Sequence, residues 1–188
     1  MVHENPEEMF EKSQLNLKNL AAILPLYGEN MSHFKMKTYR VFVYGSLLKG
    51  LSNHRLLENN GVKFICNDTI RAQLFTSHWG WPFLILSLSN KYKVYGEVYD
   101  VDHLTFKNLD ALEGYIPNDQ HSLFFRKIAT TNRDKYRVHV YEGGLSLRKS
   151  NRLFRINTGN WKKAYIDYHS NKLDIQNSPD ITNLSSQY

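Results

Sequence analysis

RVFVYGSLLKGLSNHRLL, residues 40–57, runs from an unbroken apolar segment into a Tyr-Gly-Ser turn, and then into a polar stretch with Lys49, Gly50 and an Asn-His pair. β-Branched and aromatic residues in a short run read as a buried strand. A glycine at its end is either ordinary turn punctuation or the mark of backbone bent to hold a ligand. On the second reading, Gly45 takes angles closed to other residues, so that successive N–H groups from Tyr44 to Leu47 converge on one point. Such a nest suits a carboxylate or a developing oxyanion. It is not a phosphate loop, because Lys49 precedes Gly50 and the G-x-x-x-x-G-K-[ST] pattern is absent.

Upstream, residues 1–24 read as a helix. Asn5 caps it, Pro6 takes the first helical position, and Glu7 and Glu8 favour its positive end. Met9, Ser13, Leu17, Leu20 or Ala21, and Leu24 form a stripe at helical spacing, and Pro25 and Gly28 stop it. Downstream, HRLLENNG reads as a short helix, VKFICNDTIRAQLFT as strand, SHWGWP as loop and FLILSLS as a buried strand. KVYGEVYDVD alternates, with Gly96 inside a strand marking a close backbone approach. DHLTFKNLDALEG is expected to be a helix capped by Asp102, spaced by Leu104, Leu109 and Leu112, and ended by Gly114. FFRKIATTN and YRVHVYEGG are two more strands. Strands outnumber helices without regular βαβ alternation, which predicts an α+β fold on a mixed, strongly curved sheet. The expected organisation is an N-terminal helical arm at 1–38, a domain at 39–173 and a flexible tail at 174–188.

The chain has 188 residues, enough for one domain with a real core. Its single cysteine, Cys66, rules out an intrachain disulfide and fits a reducing, cytoplasmic setting. No signal-peptide pattern opens the chain, and no apolar run approaches the roughly 20 residues that span a bilayer, so a membrane is not expected as a partner. Net charge is +6 and the pI is near 9.3. The basic residues are spread along the chain, densest at 133–137 and 147–155. They read as a solvated surface rather than a specific nucleic-acid footprint, and their field also serves a small anionic substrate.

A carboxylate is the second chemical candidate. In LDALEGY, residues 109–115, Glu113 closes a mostly apolar helix just before a glycine. The C-terminal end of a helix is the negative end of its dipole, and burial there raises a carboxyl pKa, which suits general acid–base work. A surface glutamate is the plain alternative. The eight histidines form no H-x-x-x-H or H-x-H pair, so no protein metal site is expected. Cys66 reads as a core residue rather than a nucleophile.

Taken together, these stretches resemble the gamma-glutamylcyclotransferase-like superfamily. The resemblance lies in VFVYGSLLKGLSNHRLL, WGWPF, VYGEVYDV, LDALEGY, FFRKIAT and TGNW, and it covers roughly residues 39–165. It implies a small α+β fold on a curved or barrel-like mixed sheet with flanking helices. It also implies an enzyme of the lyase or acyltransferase type, needing no metal or organic cofactor. The activity it implies is cyclisation of a γ-glutamyl amine or γ-glutamyl amino acid to 5-oxoproline, with release of the attached amine. By residue, it implies that Tyr44, Gly45, Ser46 and Leu47 bind the glutamyl group and that Glu113 is the acid–base. The tyrosine of the family's Y-x-R falls on Phe124, so a hydroxyl is missing there, while Arg126 keeps the arginine. The competing expectation is a non-catalytic module on the same fold that binds an anion or nucleic acid. A carboxylate at Glu113 speaks against it.

Overall fold

The computed structural model describes residues 37–77, 80–149 and 153–169. The helix expected at 1–24 and the tail expected at 174–188 lie outside them, as do His78 and Trp79 of the loop before Gly80.

Among the described residues, eight strands form two sheets. β1 (Tyr39–Val43), β2 (Val62–Ile70), β5 (Val94–Val101), β6 (Phe124–Thr130) and β7 (Arg137–Gly143) make a five-stranded sheet in the order β2-β5-β1-β7-β6. β3 (Ala72–Ser77), β4 (Pro82–Leu86) and β8 (Leu153–Arg155) make a three-stranded antiparallel sheet in the order β4-β3-β8. The larger sheet is mixed, because β1 runs parallel to β7 while its other pairings are antiparallel. Helices α1 (His103–Leu112), α2 (Leu145–Arg148) and α3 (Trp161–His169) complete the fold, with a 3₁₀ turn at His54–Leu57.

The α+β expectation holds, with the sheet divided in two. Residues 62–76, which read as one continuous strand, break at Arg71, and the chain passes from the larger sheet to the smaller one. The corner is buried at Ile70 and Ala72. It is held by Asn132 N–H on the Thr69 carbonyl at 2.8 Å and by Ser87 N–H on the Arg71 carbonyl at 3.0 Å. Apolar residues that face inward on both sides of such a corner look like one strand in sequence, because alternation carries no information about which sheet they join. Phe42, Phe75, Phe83, Leu74, Leu84, Val94 and Val98 are fully buried in a single core cluster.

Gly96 is where β5 meets β1 face to face. A Cβ there would lie 2.2 Å from the Val43 carbonyl oxygen and 2.4 Å from the Phe42 ring. The strand therefore tolerates only hydrogen at this position, as a glycine inside a strand implied.

Helix α1 corrects the expected apolar face. Asp102 does cap it, accepting from Thr105 N–H at 2.7 Å. The buried face, however, is Thr105, Phe106, Leu109 and Asp110, while Leu104 is 70% exposed. Buried Thr105 and Asp110 find their side-chain partners far along the chain, at Asn59 for Thr105 and at Arg126 and Tyr141 for Asp110, so the sequence shows no continuous apolar face here.

Candidate active site

Val43 is the last ladder residue of β1, and Tyr44 leaves the sheet edgewise. Its hydroxyl donates to the Tyr141 carbonyl at 2.7 Å and accepts from Leu84 N–H at 3.3 Å. Tyr44 thus ties β1 to β7 and β4. Burial pushes its phenol well up, and the nearby Glu113 charge adds to that.

The following turn departs from expectation in one respect. Gly45 does not occupy the left-handed region, which among the described glycines belongs to Gly50, Gly80, Gly114 and Gly159. Glycine is needed at 45 for space: an added Cβ would lie 2.8 Å from Cγ of Pro82. The WGWPF loop and the turn therefore define each other. Among the described residues, no protein acceptor takes the backbone N–H of Ser46 or Leu47.

The turn is buttressed from behind. Lys49 N–H donates to Glu97 at 3.0 Å, and Tyr99 donates to the same Glu97 oxygen at 2.7 Å. This is the structural task of the Gly-Glu pair in VYGEVYDV: Gly96 lets β1 come close, and Glu97 holds the loop that follows β1.

Glu113 ends α1. Gly114, at φ +57°, donates to the Ala111 carbonyl at 3.2 Å, and Tyr115 N–H donates to the Asp110 carbonyl at 2.9 Å. This is the glycine-closed helix stop that LDALEGY implied. Glu113 is half-buried and lines a cavity. Desolvation raises its carboxyl to about 7. No protein donor reaches its side chain among the described residues.

A cavity of about 400 Å³ brings the expected residues together: Tyr44, Gly45, Ser46 and Leu47 on one wall, Glu113 on another. Phe124 lines it too and is 6% exposed, so the hydroxyl missing at that position is missing from the cavity itself. Arg126 does not line it. It donates to Asp110 at 2.6 Å and stacks over Phe106 and Tyr115 at 4.4 and 4.7 Å. Tyr141, a cavity residue, donates to the same Asp110 at 2.8 Å. The Y-x-R arginine thus anchors the last turn of α1, one turn before Glu113.

Several lining residues escaped the sequence reading. Tyr141 lay in an expected strand with no assigned role. Trp161 was only the last letter of TGNW, and Tyr165 was not read at all. Asn160 caps α3, accepting from Lys163 N–H at 3.0 Å. A cap at 160 puts Trp161 and Tyr165 on one helix face four residues apart, which was the available signal. Trp81 from the WGWPF loop lines the same cavity. Glu113 is the cavity's one charged side chain among the described residues.

The family profile described as gamma-glutamyl cyclotransferase, AIG2-like, matches residues 41–163, well over half of the chain. The chain belongs to that family. It is 41% identical over 85 residues to gamma-glutamylaminecyclotransferase C of Danio rerio, a match covering 42% of this chain and 55% of the relative. It is 34% identical over 87 residues to the gamma-L-glutamyl-butirosin B gamma-glutamyl cyclotransferase of Niallia circulans, covering 46% and 53%. The chain spans about half the length of the curated relatives it matches. Among solved structures, the uncharacterized protein PH0828 of Pyrococcus horikoshii superposes with a TM-score of 0.53 at 26% identity, over 70% of this chain and 97% of that one. Allophanate hydrolase of Kluyveromyces lactis superposes with a TM-score of 0.57 at 17% identity, over 71% of this chain and 22% of that one, a likeness of fold alone.

Proposed function

We propose that the chain is a γ-glutamyl-amine cyclotransferase. The observation that carries this reading is a desolvated carboxylate, Glu113, sharing one cavity with a turn whose Ser46 and Leu47 N–H groups have no protein acceptor. The scheme needs no protein nucleophile. Glu113 takes a proton from the substrate's α-ammonium, and the freed amine attacks the γ-carbonyl carbon. The carbonyl π pair moves to oxygen, where the turn's N–H groups stabilise it. As the oxyanion collapses, the bond from the γ-carbon to the leaving nitrogen breaks. Glu113 returns its proton to that nitrogen, and the surplus proton of the attacking nitrogen passes to the released amine, giving 5-oxoproline and an ammonium ion. Closing a five-membered ring within one bound molecule replaces about 7–11 kcal/mol of barrier with prepaid orientation.

The cavity's other walls speak to the leaving group. Trp81, Trp161, Tyr165 and Leu112 offer apolar and aromatic surface, and among the described lining residues no cation stands ready for a second carboxylate. A leaving amine without a carboxylate fits this surface better than a leaving amino acid. Incubation with γ-glutamyl alkylamines, γ-glutamyl-lysine isomers and γ-glutamyl amino acids, with 5-oxoproline followed by mass spectrometry, tests the reading. Turnover of the amines is expected, and a chain inert toward every γ-glutamyl compound overturns it.

A further inference from the structure

We infer that Asn53 and His54 are positioning residues that set the donor face of the turn, and that the Ser46 hydroxyl is a third donor within it. The inference rests on reading the cavity as a γ-glutamyl site. Its starting point is the geometry of trans peptide units, in which the C=O of one residue and the N–H of the next point in opposite directions. Fixing the carbonyl therefore fixes the N–H behind it, and no described peptide bond is cis.

The three carbonyls from Gly45 to Leu47 are each held. The Gly45 carbonyl accepts from Leu48 N–H at 3.0 Å, which sets the direction of Ser46 N–H. The Ser46 carbonyl accepts from Asn53 N–H at 3.0 Å, which sets Leu47 N–H. The Leu47 carbonyl lies 2.9 Å from Nδ1 of His54. A carbonyl only accepts, so Nδ1 carries the proton, and this bond fixes the Leu48 N–H that closes the turn onto Gly45. The Ser46 and Leu47 N–H groups, which have no protein acceptor among the described residues, thus both belong to peptide planes locked from behind.

The side chain of Asn53 adds the third donor. Its Nδ2 donates to Ser46 Oγ at 2.8 Å, and both residues line the cavity. A hydroxyl has one hydrogen and two lone pairs. With a lone pair engaged by Asn53, the Ser46 hydrogen turns away from Asn53 and is free to donate to a bound carboxylate or oxyanion. His54 is 8% exposed and faces the Tyr99 ring at 6.1 Å. Its Nε2 lies 3.8 Å from Glu58, so the ring's one short bond is the one to the turn. The Asn-His pair of the opening stretch thereby has work to do, although neither ring nor amide touches the reacting atoms in this scheme.

The experiment uses the full chain and two readouts: steady-state release of 5-oxoproline from a γ-glutamyl alkylamine, and calorimetric binding of 5-oxoproline itself. Asn53→Asp keeps shape but accepts where Asn53 donates. It draws the Ser46 hydrogen away from the cavity and sets a negative charge beside the ligand carboxylate. It is expected to raise KM by about tenfold or more and to weaken 5-oxoproline binding to match, with a smaller effect on kcat. Asn53→Ala is expected to cost less, and its effect is expected to shrink toward none in a Ser46→Ala background, because the two residues act through one bond. His54→Leu is expected to lose binding. His54→Asn, which places an amide donor near the position of Nδ1, is expected to recover most of it. Circular dichroism separates these effects from misfolding. The inference is overturned by folded Asn53 variants that keep KM and binding within twofold, by an Asn53→Ala effect unchanged in the Ser46→Ala background, or by equal behaviour of His54→Leu and His54→Asn. If the wild-type chain makes no 5-oxoproline, the proposed reaction falls, and calorimetry alone then decides this point. Binding sensitive to Asn53 supports it, and absence of binding overturns it.

Discussion

Glu113 is a carboxyl poised to exchange its proton near neutrality, because protein replaces water around it. In Glu113→Gln the side chain keeps its size but cannot carry a proton. Turnover is expected to fall by about 10²–10⁴-fold with folding intact, as measured by 5-oxoproline release. Wild-type activity is expected to rise with pH on an acidic limb centred near 7, where the carboxyl becomes a base. Stability moves the opposite way. The folded-state value lies above the unfolded one of about 4.5, so the folded chain binds more protons between them. The contribution of this group is therefore intact below about 4.5 and is lost as pH rises through about 7. The melting temperature of Glu113→Gln relative to wild type is expected to be flat below pH 4.5, to climb toward pH 7 and to level off above it. At Gly45 the steric argument gives a ranking. Gly45→Val drives a branched side chain into Pro82, whereas Ser46→Ala removes one donor and leaves the backbone donors in place. The valine variant is expected to lose more kcat/KM than the alanine variant, and the reverse order would put the main work on the hydroxyl.

The last turn of α1 is held by an ion pair rather than by apolar packing alone. Asp110 is 6% exposed and takes donors from both Arg126 and Tyr141. Arg126→Met leaves that carboxylate without its cation, a change that typically costs about 3–5 kcal/mol. Urea unfolding is expected to show a loss of that order, with part recovered when Asp110→Asn is added, and kcat is expected to fall because Glu113 sits one turn away. This element also shows what sequence conveys and what it hides. The cap at Asp102, the stop at Gly114 and the place of Glu113 were legible, because each follows from backbone chemistry local to a few residues. The buried face was not, because Thr105 and Asp110 are hidden by partners remote in sequence. The sheet change at Arg71 was hidden for a similar reason: both sheets ask for the same inward apolar residues. On the turn, Ser46 and Leu47 were legible as a candidate binding segment. The reason for Gly45 was not, because it is a contact with Pro82 across the fold.

At the scale of the molecule, the motif-bearing residues all lie from β1 onward, so a chain beginning at Met36 is expected to fold cooperatively and to retain 5-oxoproline release. Loss of a single sharp thermal transition in that chain would show that the stripe from Met9 to Leu24 belongs to the core. The +6 net charge is expected to give nucleic acid only weak, sequence-independent binding that fades steeply with salt, measurable by fluorescence anisotropy across a salt series. Nanomolar, sequence-dependent binding at physiological salt would instead favour a binding module on this fold.

The hydrogen bond from the Tyr44 hydroxyl to the Tyr141 carbonyl joins residues 97 positions apart, beside a parallel pairing of β1 with β7. That separation makes the bond a clock. Parallel strands so distant along the chain meet only after the intervening loop has been closed, so local hairpins such as β3–β4 and β6–β7 form sooner. The turn that Tyr44 begins is therefore expected to be among the last parts of the domain to acquire its shape. In stopped-flow refolding, Tyr44→Phe is expected to speed unfolding with little change in the folding rate, the signature of a contact made after the transition state.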